Sequence, residues 1–192
     1  MMPKPPLTPF ADELPLPQRL IASEQGGRLT VPIRSGTHRF HRDLPESRVW
    51  GFAARFPGPT IEVERGEAVT VEWLNELSEP LPVTDTVTPE SADADGVPVQ
   101  CLPGLSGGVP DESAAALTGQ SVVHLHGGLT PAPYDGWAEN LFAPGQSAVF
   151  HYPNDQRAAL LWYHDHVMGV TKLDVYAGLA GLWIRPATRP RR

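Results

Sequence analysis

Proline recurs too regularly in this sequence for long helices to survive. Of 192 residues, 22 are Pro and 18 are Gly, and Pro alone stands well above its usual share of about 5%. An interior Pro removes a backbone donor and clashes with the preceding turn, and Gly costs conformational entropy, so a helical bundle has no room here. The text between these breakers alternates instead. RLTVPIR (28–34), THRFHRD (37–43), SRVWGF (47–52), TIEVE (60–64) and AVTVEWLN (68–75) each fit a half-buried strand of period 2. QSVVHLHG (120–127), QSAVFHYP (146–153), AALLWYH (158–164) and AGLAGLWIR (177–185) do the same further on. One short helix is predicted around Val170–Tyr176. Many short strands, many turns and little helix specify an all-β Greek-key sandwich or barrel.

Three stretches fall outside that pattern. Residues 1–25 open Pro-rich and read as an extended arm laid along the folded body. The domain itself is expected over 26–186, interrupted by a Pro-, Gly- and Asp-rich excursion at 78–119 that reads as one long surface loop. A basic tail occupies 187–192.

The remaining composition excludes several classes. With 22 acidic against 15 basic residues the formal charge is −7, the wrong sign for a nucleic-acid module, which must replace counterions. The single cysteine, Cys101, allows neither an intrachain disulfide nor a thiolate zinc cluster. No run approaches the ~20 apolar residues that span a bilayer, so no membrane role is expected. The first residues carry neither an apolar export core nor a twin arginine, and the expected location is the cytoplasm.

Four of the seven histidines occur as two His-x-His pairs: His124 and His126 in VVHLHGG, His164 and His166 in LLWYHDHVMG. On a strand, residues two apart project from the same face, about 7 Å from each other, so each pair is a two-pronged imidazole ligand. Two such strands side by side would present four imidazoles to one small volume. Imidazole suits Cu, Zn, Fe and Ni, and Cu(II) binds most tightly at equal access. A single pair reads as easily as two hydrogen-bonded histidines on an edge strand; the second pair is what favours a metal. Other metal motifs fit poorly. A metallo-β-lactamase pattern needs H-x-H-x-D-H, but Gly127 and Gly128 follow His126. A cupin leaves the second pair unexplained, no H-E-x-x-H is present, and 192 residues are too few for an eight-fold βα barrel.

HLHGG followed by a DG turn, and then LWYHDHVMGVTKLDVYAGLAGLW, resembles the amino-terminal cupredoxin (plastocyanin-like) domain of a multicopper oxidase. The most similar subgroup comprises bacterial spore-coat laccases, bilirubin oxidases and phenoxazinone (o-aminophenol) oxidases. HRFHRDLPESRVWGF and FPGPTIEVERGEAVTVEWLNEL extend the likeness, which runs from about residue 10 to 186 with the 78–119 segment unmatched. The resemblance implies that His124 binds a type 2 copper, and that His126, His164 and His166 bind a type 3 pair. The family completes this trinuclear cluster with four His from a further cupredoxin domain, which also carries an HCH motif for the type 1 copper.

The chain departs from the family there. Cys101 lies between Gln100 and Leu102, with no His beside it, so no blue type 1 site is expected, since such a site joins a thiolate to imidazoles. His38, His41 and His151 are read as structural. Asp135, in PAPYDGW, stands where these oxidases carry an acidic residue near the type 2 copper; it reads equally as a proton relay or as an ordinary Asp-Gly turn. Asp165 points away from the two histidines beside it and reads as a supporting or surface residue. Trp162 and Tyr163 read as packing.

The resulting expectation is the first domain of a laccase-like oxidase. It supplies half of the His ligands of the cluster that reduces O2 to water, while phenols or aminophenols are oxidised elsewhere. A complementary domain or chain would carry the other HxH and the HCH motif, and this chain alone would lack activity. A split subunit, a truncation and an excised domain all fit. The alternatives are a stand-alone copper-binding or interaction module without oxidase activity and, more remotely, a zinc hydrolase.

Overall fold

The period-2 runs form strands whose apolar faces meet between two sheets. In chain order the elements are β1 (Arg19–Ile21), β2 (Arg28–His38), β3 (Ser47–Phe52), β4 (Thr60–Glu62), β5 (Val69–Asn75), β6 (Thr86–Pro89), β7 (Gly108–Asp111), β8 (Val123–His126), β9 (Ser147–Tyr152), β10 (Ala159–Asp165), α1 (Thr171–Ala177) and β11 (Ala180–Arg185). The computed structural model describes residues 7–83, 86–89, 108–111 and 117–186. One sheet has the order β3-β2-β5-β9 and the other β1-β4-β11-β10-β8. Both are mixed: β2 runs parallel to β5, and β4 runs parallel to β1 and β11, while the other neighbours are antiparallel.

Alternation decides what is buried. Along β5, Val69, Val71 and Trp73 point inward and Thr70, Glu72 and Leu74 do not; along β2, Leu29, Val31 and Ile33 are the inward set. The sheets meet through aromatic rings. Phe52 and Trp73 lie against Tyr163 at centroid distances of 4.8 and 5.1 Å, and Tyr152 against Trp183 at 4.8 Å. Offset and edge contacts of this kind add about 0.5–1.5 kcal/mol per pair beyond the burial itself. The Tyr163 hydroxyl donates to the Pro59 carbonyl at 2.6 Å, which satisfies its buried polar end.

Several boundaries differ from the sequence expectation. THRFHRD is not a strand of its own: β2 continues through Thr37 and His38, and the chain then turns. The His41 ring explains the turn, with Nδ1 accepting from the Asp43 amide and Nε2 lying 3.0 Å from the Thr8 carbonyl. Arg19–Ile21, within the Pro-rich arm, forms β1. Inside the segment read as a loop, Thr86–Pro89 pairs antiparallel with Gly108–Asp111, in a second compact unit spanning 80–118. Residues 1–6, Cys101 and the tail at 187–192 lie outside the described residues.

Candidate metal centre

The approach to β8 is fixed before its histidines are reached. Asn75, buried at the end of β5, donates through Nδ2 to the Gly119 and Phe142 carbonyls, and Ser121 bridges to Phe142 through both backbone groups. β8 then lies antiparallel to β10 at the sheet edge, with His124 opposite His164 and His126 opposite Trp162. These four side chains share one face. Val123, Leu125, Tyr163 and Asp165 occupy the other, and all four are buried.

The imidazoles converge. Ring centroids of His124 lie 5.7 Å from His126, 5.6 Å from His164 and 5.0 Å from His166; His164 lies 5.5 Å from His126 and 5.6 Å from His166. His124, His126 and His164 each offer a ligand nitrogen within 4.8 Å of the others'. Two rings are aimed by backbone carbonyls: His124 Nδ1 is 2.5 Å from the Asp135 oxygen and His164 Nδ1 is 2.7 Å from the Asp165 oxygen. An imidazole that donates through Nδ1 presents an unprotonated Nε2, the form that binds metal. His164 Nε2 and His126 Nδ1 stand 3.3 Å apart, a spacing that needs a proton or a cation between the lone pairs. His166 Nδ1 is buried without a hydrogen-bond partner, a costly state for a nitrogen whose only use is structural. Burial, with the neighbouring imidazoles adding to it, holds the His164 pKa down to about 4, so this ring is neutral and ready to ligate. Four converging imidazoles, one with an orphaned nitrogen, suit a borderline-soft cation such as copper.

The supporting residues divide less evenly. Asp135 follows a 3-10 turn at Ala132–Tyr134, and its half-exposed carboxylate has Oδ1 3.6 Å from His124 Nδ1. Gly136 after it has φ +76, and a Cβ there would stand 2.2 Å from the Val123 carbonyl oxygen, so the Asp-Gly turn packs directly on β8. Asp165 is not a surface residue: it is fully buried, and its carboxylate accepts from Ser121 Oγ at 2.6 Å, Val122 N at 3.2 Å and Val167 N at 3.0 Å. Trp162 does more than pack, since its indole stacks on His164 at 4.1 Å and on His126 at 5.2 Å. His151 lies away from the group, hydrogen-bonded to Thr70 and edge-on to Tyr134. Sequence reasoning missed Asp174 of α1, which is buried; burial, and then the charge of Asp165, pushes its pKa up to about 9. An acidic residue on an otherwise inward helix position was the available signal.

Known proteins carry the same arrangement of sequence and fold. The family model described as Multicopper oxidase matches residues 32–103 and 114–188. A laccase of Bacillus subtilis (strain 168) is 40% identical over 191 residues, covering 93% of this chain and 33% of the laccase. A bilirubin oxidase of Albifimbria verrucaria is 31% identical over 154 residues, covering 80% of this chain and 20% of its own length. Among solved structures, a laccase from Pediococcus acidilactici superposes with a TM-score of 0.66 at 22% identity, over 97% of this chain and 34% of that one; at that identity the likeness is one of fold, a cupredoxin-like β-sandwich. This chain thus spans about a third of the length of the laccase it matches. With its two His-x-His strands paired at one sheet edge, the chain belongs to the multicopper oxidase family.

Proposed function

We propose that this chain supplies half of the His ligands of a trinuclear copper cluster in a laccase-like oxidase. His124 is the type 2 ligand, and His126, His164 and His166 serve the type 3 pair. The observation that carries this reading is the convergence of four imidazoles, from β8, from β10 and from the residue just past it, with His166 Nδ1 buried and unpartnered. Copper, when bound, supplies the one-electron chemistry by which O2 is reduced to water, with phenols or aminophenols oxidised at a separate site. The chain's own contribution is orientation. The Asp135 and Asp165 carbonyls fix two rings, Trp162 fixes the planes of His126 and His164, and the sheet register sets their spacing. Asp135 is the proton relay: its carboxylate meets solvent on one side and His124 on the other, as a group feeding protons to O2 reduction must.

The other half of the ligands would come from a complementary domain or chain carrying a second HxH and the HCH motif. Exposed Leu129, Trp137, Leu160 and Met168 support this, since all four lie within four residues of a site residue, an apolar rim suited to being covered. Copper titration with electron paramagnetic resonance tests the ligand assignment. The chain should take up Cu(II) with a nitrogen-coordinated signal, and His164→Ala combined with His166→Ala, or His124→Ala with His126→Ala, should remove most of it. Unchanged stoichiometry in either double variant contradicts the assignment.

A further inference from the structure

His126 stands where the fold offers a ligand the least support. β8 is the edge strand of its sheet, its pairing with β10 ends at His126 and Trp162, and His126 is the exposed member of the four histidines. Its ring stacks on Trp162, but among the described residues no backbone carbonyl holds either ring nitrogen, as one does for His124 and for His164. A strand end of this kind frays unless the chain beyond it is held. The hold comes from a side chain distant in sequence. Gln156, in the connection between β9 and β10, accepts from the Leu129 amide through Oε1 at 2.5 Å and donates from Nε2 to the Gly127 carbonyl at 2.9 Å. Bonding to the residues on either side of Gly128 is what a residue of a parallel strand would do, so the amide stands in for a strand partner just past His126.

Gln156 is itself anchored. Arg185, buried at the end of β11, donates from Nη1 to the Asn154 carbonyl at 3.2 Å and from Nη2 to the Arg157 carbonyl. Asn154 adds bonds from Nδ2 to the Glu67 carbonyl at 2.8 Å and the Tyr152 carbonyl at 3.2 Å. The backbone is thus gripped on both sides of Gln156, and a side chain on a fixed segment can aim another segment where one on a free loop cannot. We propose that Gln156 is a positioning residue of the copper site: its amide fixes the turn from Gly127 to Leu129 and, through that turn, the direction of His126 into the group of imidazoles. The proposal rests on the copper reading of those histidines. Because Gln156 acts through His126, losing the amide should matter only while the His126 ring is present. A residue that merely stabilises the sandwich would not show that dependence.

The test uses the full chain with Cu(II) as the probe, and Gln156→Met, which keeps the length of the side chain and loses both bonds. In the wild-type background Gln156→Met should weaken Cu(II) binding by about 10-fold or more, the usual effect of losing a partner behind a metal ligand, and should alter the nitrogen hyperfine pattern. In the His126→Ala background the same change should alter Cu(II) affinity by less than about 2-fold. An equal loss in both backgrounds, or no loss in the first, overturns the proposal. Should Gln156→Met fail to fold, Gln156→Glu takes its place in the same cycle: it keeps the acceptor for the Leu129 amide but sets an oxygen against the Gly127 carbonyl. Nuclear magnetic resonance of the metal-free chain gives a second reading. The His126 ring resonances should shift in the variant and those of His41 should not; an unmoved His126 ring overturns the proposal whatever the copper result. Failure of wild type to bind Cu(II) at all would instead refute the copper reading, with the His126 resonances still deciding whether Gln156 aims that ring.

Discussion

Burial acts on His164 and Asp174 in opposite senses of charge, and the two effects predict how the metal-free chain responds to pH. His164 falls from its ordinary 6.5 to about 4, while Asp174, through burial and then the charge of Asp165, rises from 3.8 to about 9. The unfolded chain binds the extra proton at His164 between pH 4 and 6.5, so that term favours folding as pH rises. The folded chain binds the extra proton at Asp174 from about pH 4 to 9, so that term disfavours folding as pH rises. The two slopes oppose each other up to pH 6.5, and above it the Asp174 term remains, together with any contribution of Asp165, whose carboxyl burial also pushes up. Metal-free wild type should lose up to about 1.4 kcal/mol of stability per pH unit between pH 7 and 9 for the proton held at Asp174, and Asp174→Asn should flatten the slope. Thermal denaturation across that range checks this, and a wild-type midpoint that stays level or rises contradicts it. Asp135 makes a separate case, because its backbone carbonyl holds His124 while its half-exposed carboxylate lies 3.6 Å from the same ring, the placement behind the proposed relay. In the assembled oxidase Asp135→Asn should slow O2 reduction yet leave anaerobic reduction of the blue copper by substrate almost unchanged. Equal loss in both half-reactions would make Asp135 a turn residue only.

β10 has two faces with two tasks, and the strand cannot move for one without disturbing the other. Trp162 and His164 face the site, and Tyr163 between them is clamped by Phe52, Trp73 and the Pro59 carbonyl. Opposite Tyr163 in the register stands Gly181, where a Cβ would come within 2.3 Å of the phenol ring. Gly181→Ala should therefore cost about 1–3 kcal/mol of stability through overpacking, read by denaturant unfolding, and should lower Cu(II) affinity with it. An alanine tolerated without loss would show that Tyr163 is not clamped. Much at this scale was legible in the sequence. Alternation in 68–75 and 158–164 marked β5 and β10, and the i, i+2 spacing placed His124 and His126 on one face of β8, because strand geometry alone dictates both, whereas His166 lies one residue past the end of β10. β1 and the β6–β7 pairing were not legible. Three- and four-residue strands carry too little alternation to stand out, and β1 is defined by a parallel partner some 40 residues away. The burial of Asp165 and its bonds to Ser121, Val122 and Val167 were hidden for a related reason: they join segments more than 40 residues apart or a strand end to the turn after it, which no local alternation encodes.

At the largest scale, the unit formed by residues 7–79 and 119–186 is a cupredoxin-like sandwich with four converging histidines at one sheet edge. The sandwich supplies rigidity through its aromatic core, and the edge position of β8 leaves the imidazoles open to a second set of ligands. Since the chain spans about a third of the length of the Bacillus laccase, the half-site reading makes activity a property of an assembly. The central claim is tested most directly by measuring O2 consumption with a phenolic electron donor, after copper loading and removal of loosely held copper. The chain should be inactive alone, and so should a complementary fragment bearing the second His-x-His and the His-Cys-His motif. Mixing them should yield a stable complex that consumes O2, and this gain should vanish when the chain carries His164→Ala with His166→Ala. O2 reduction by the chain alone at the rate of the mixture, or an active mixture indifferent to those two histidines, would contradict the account.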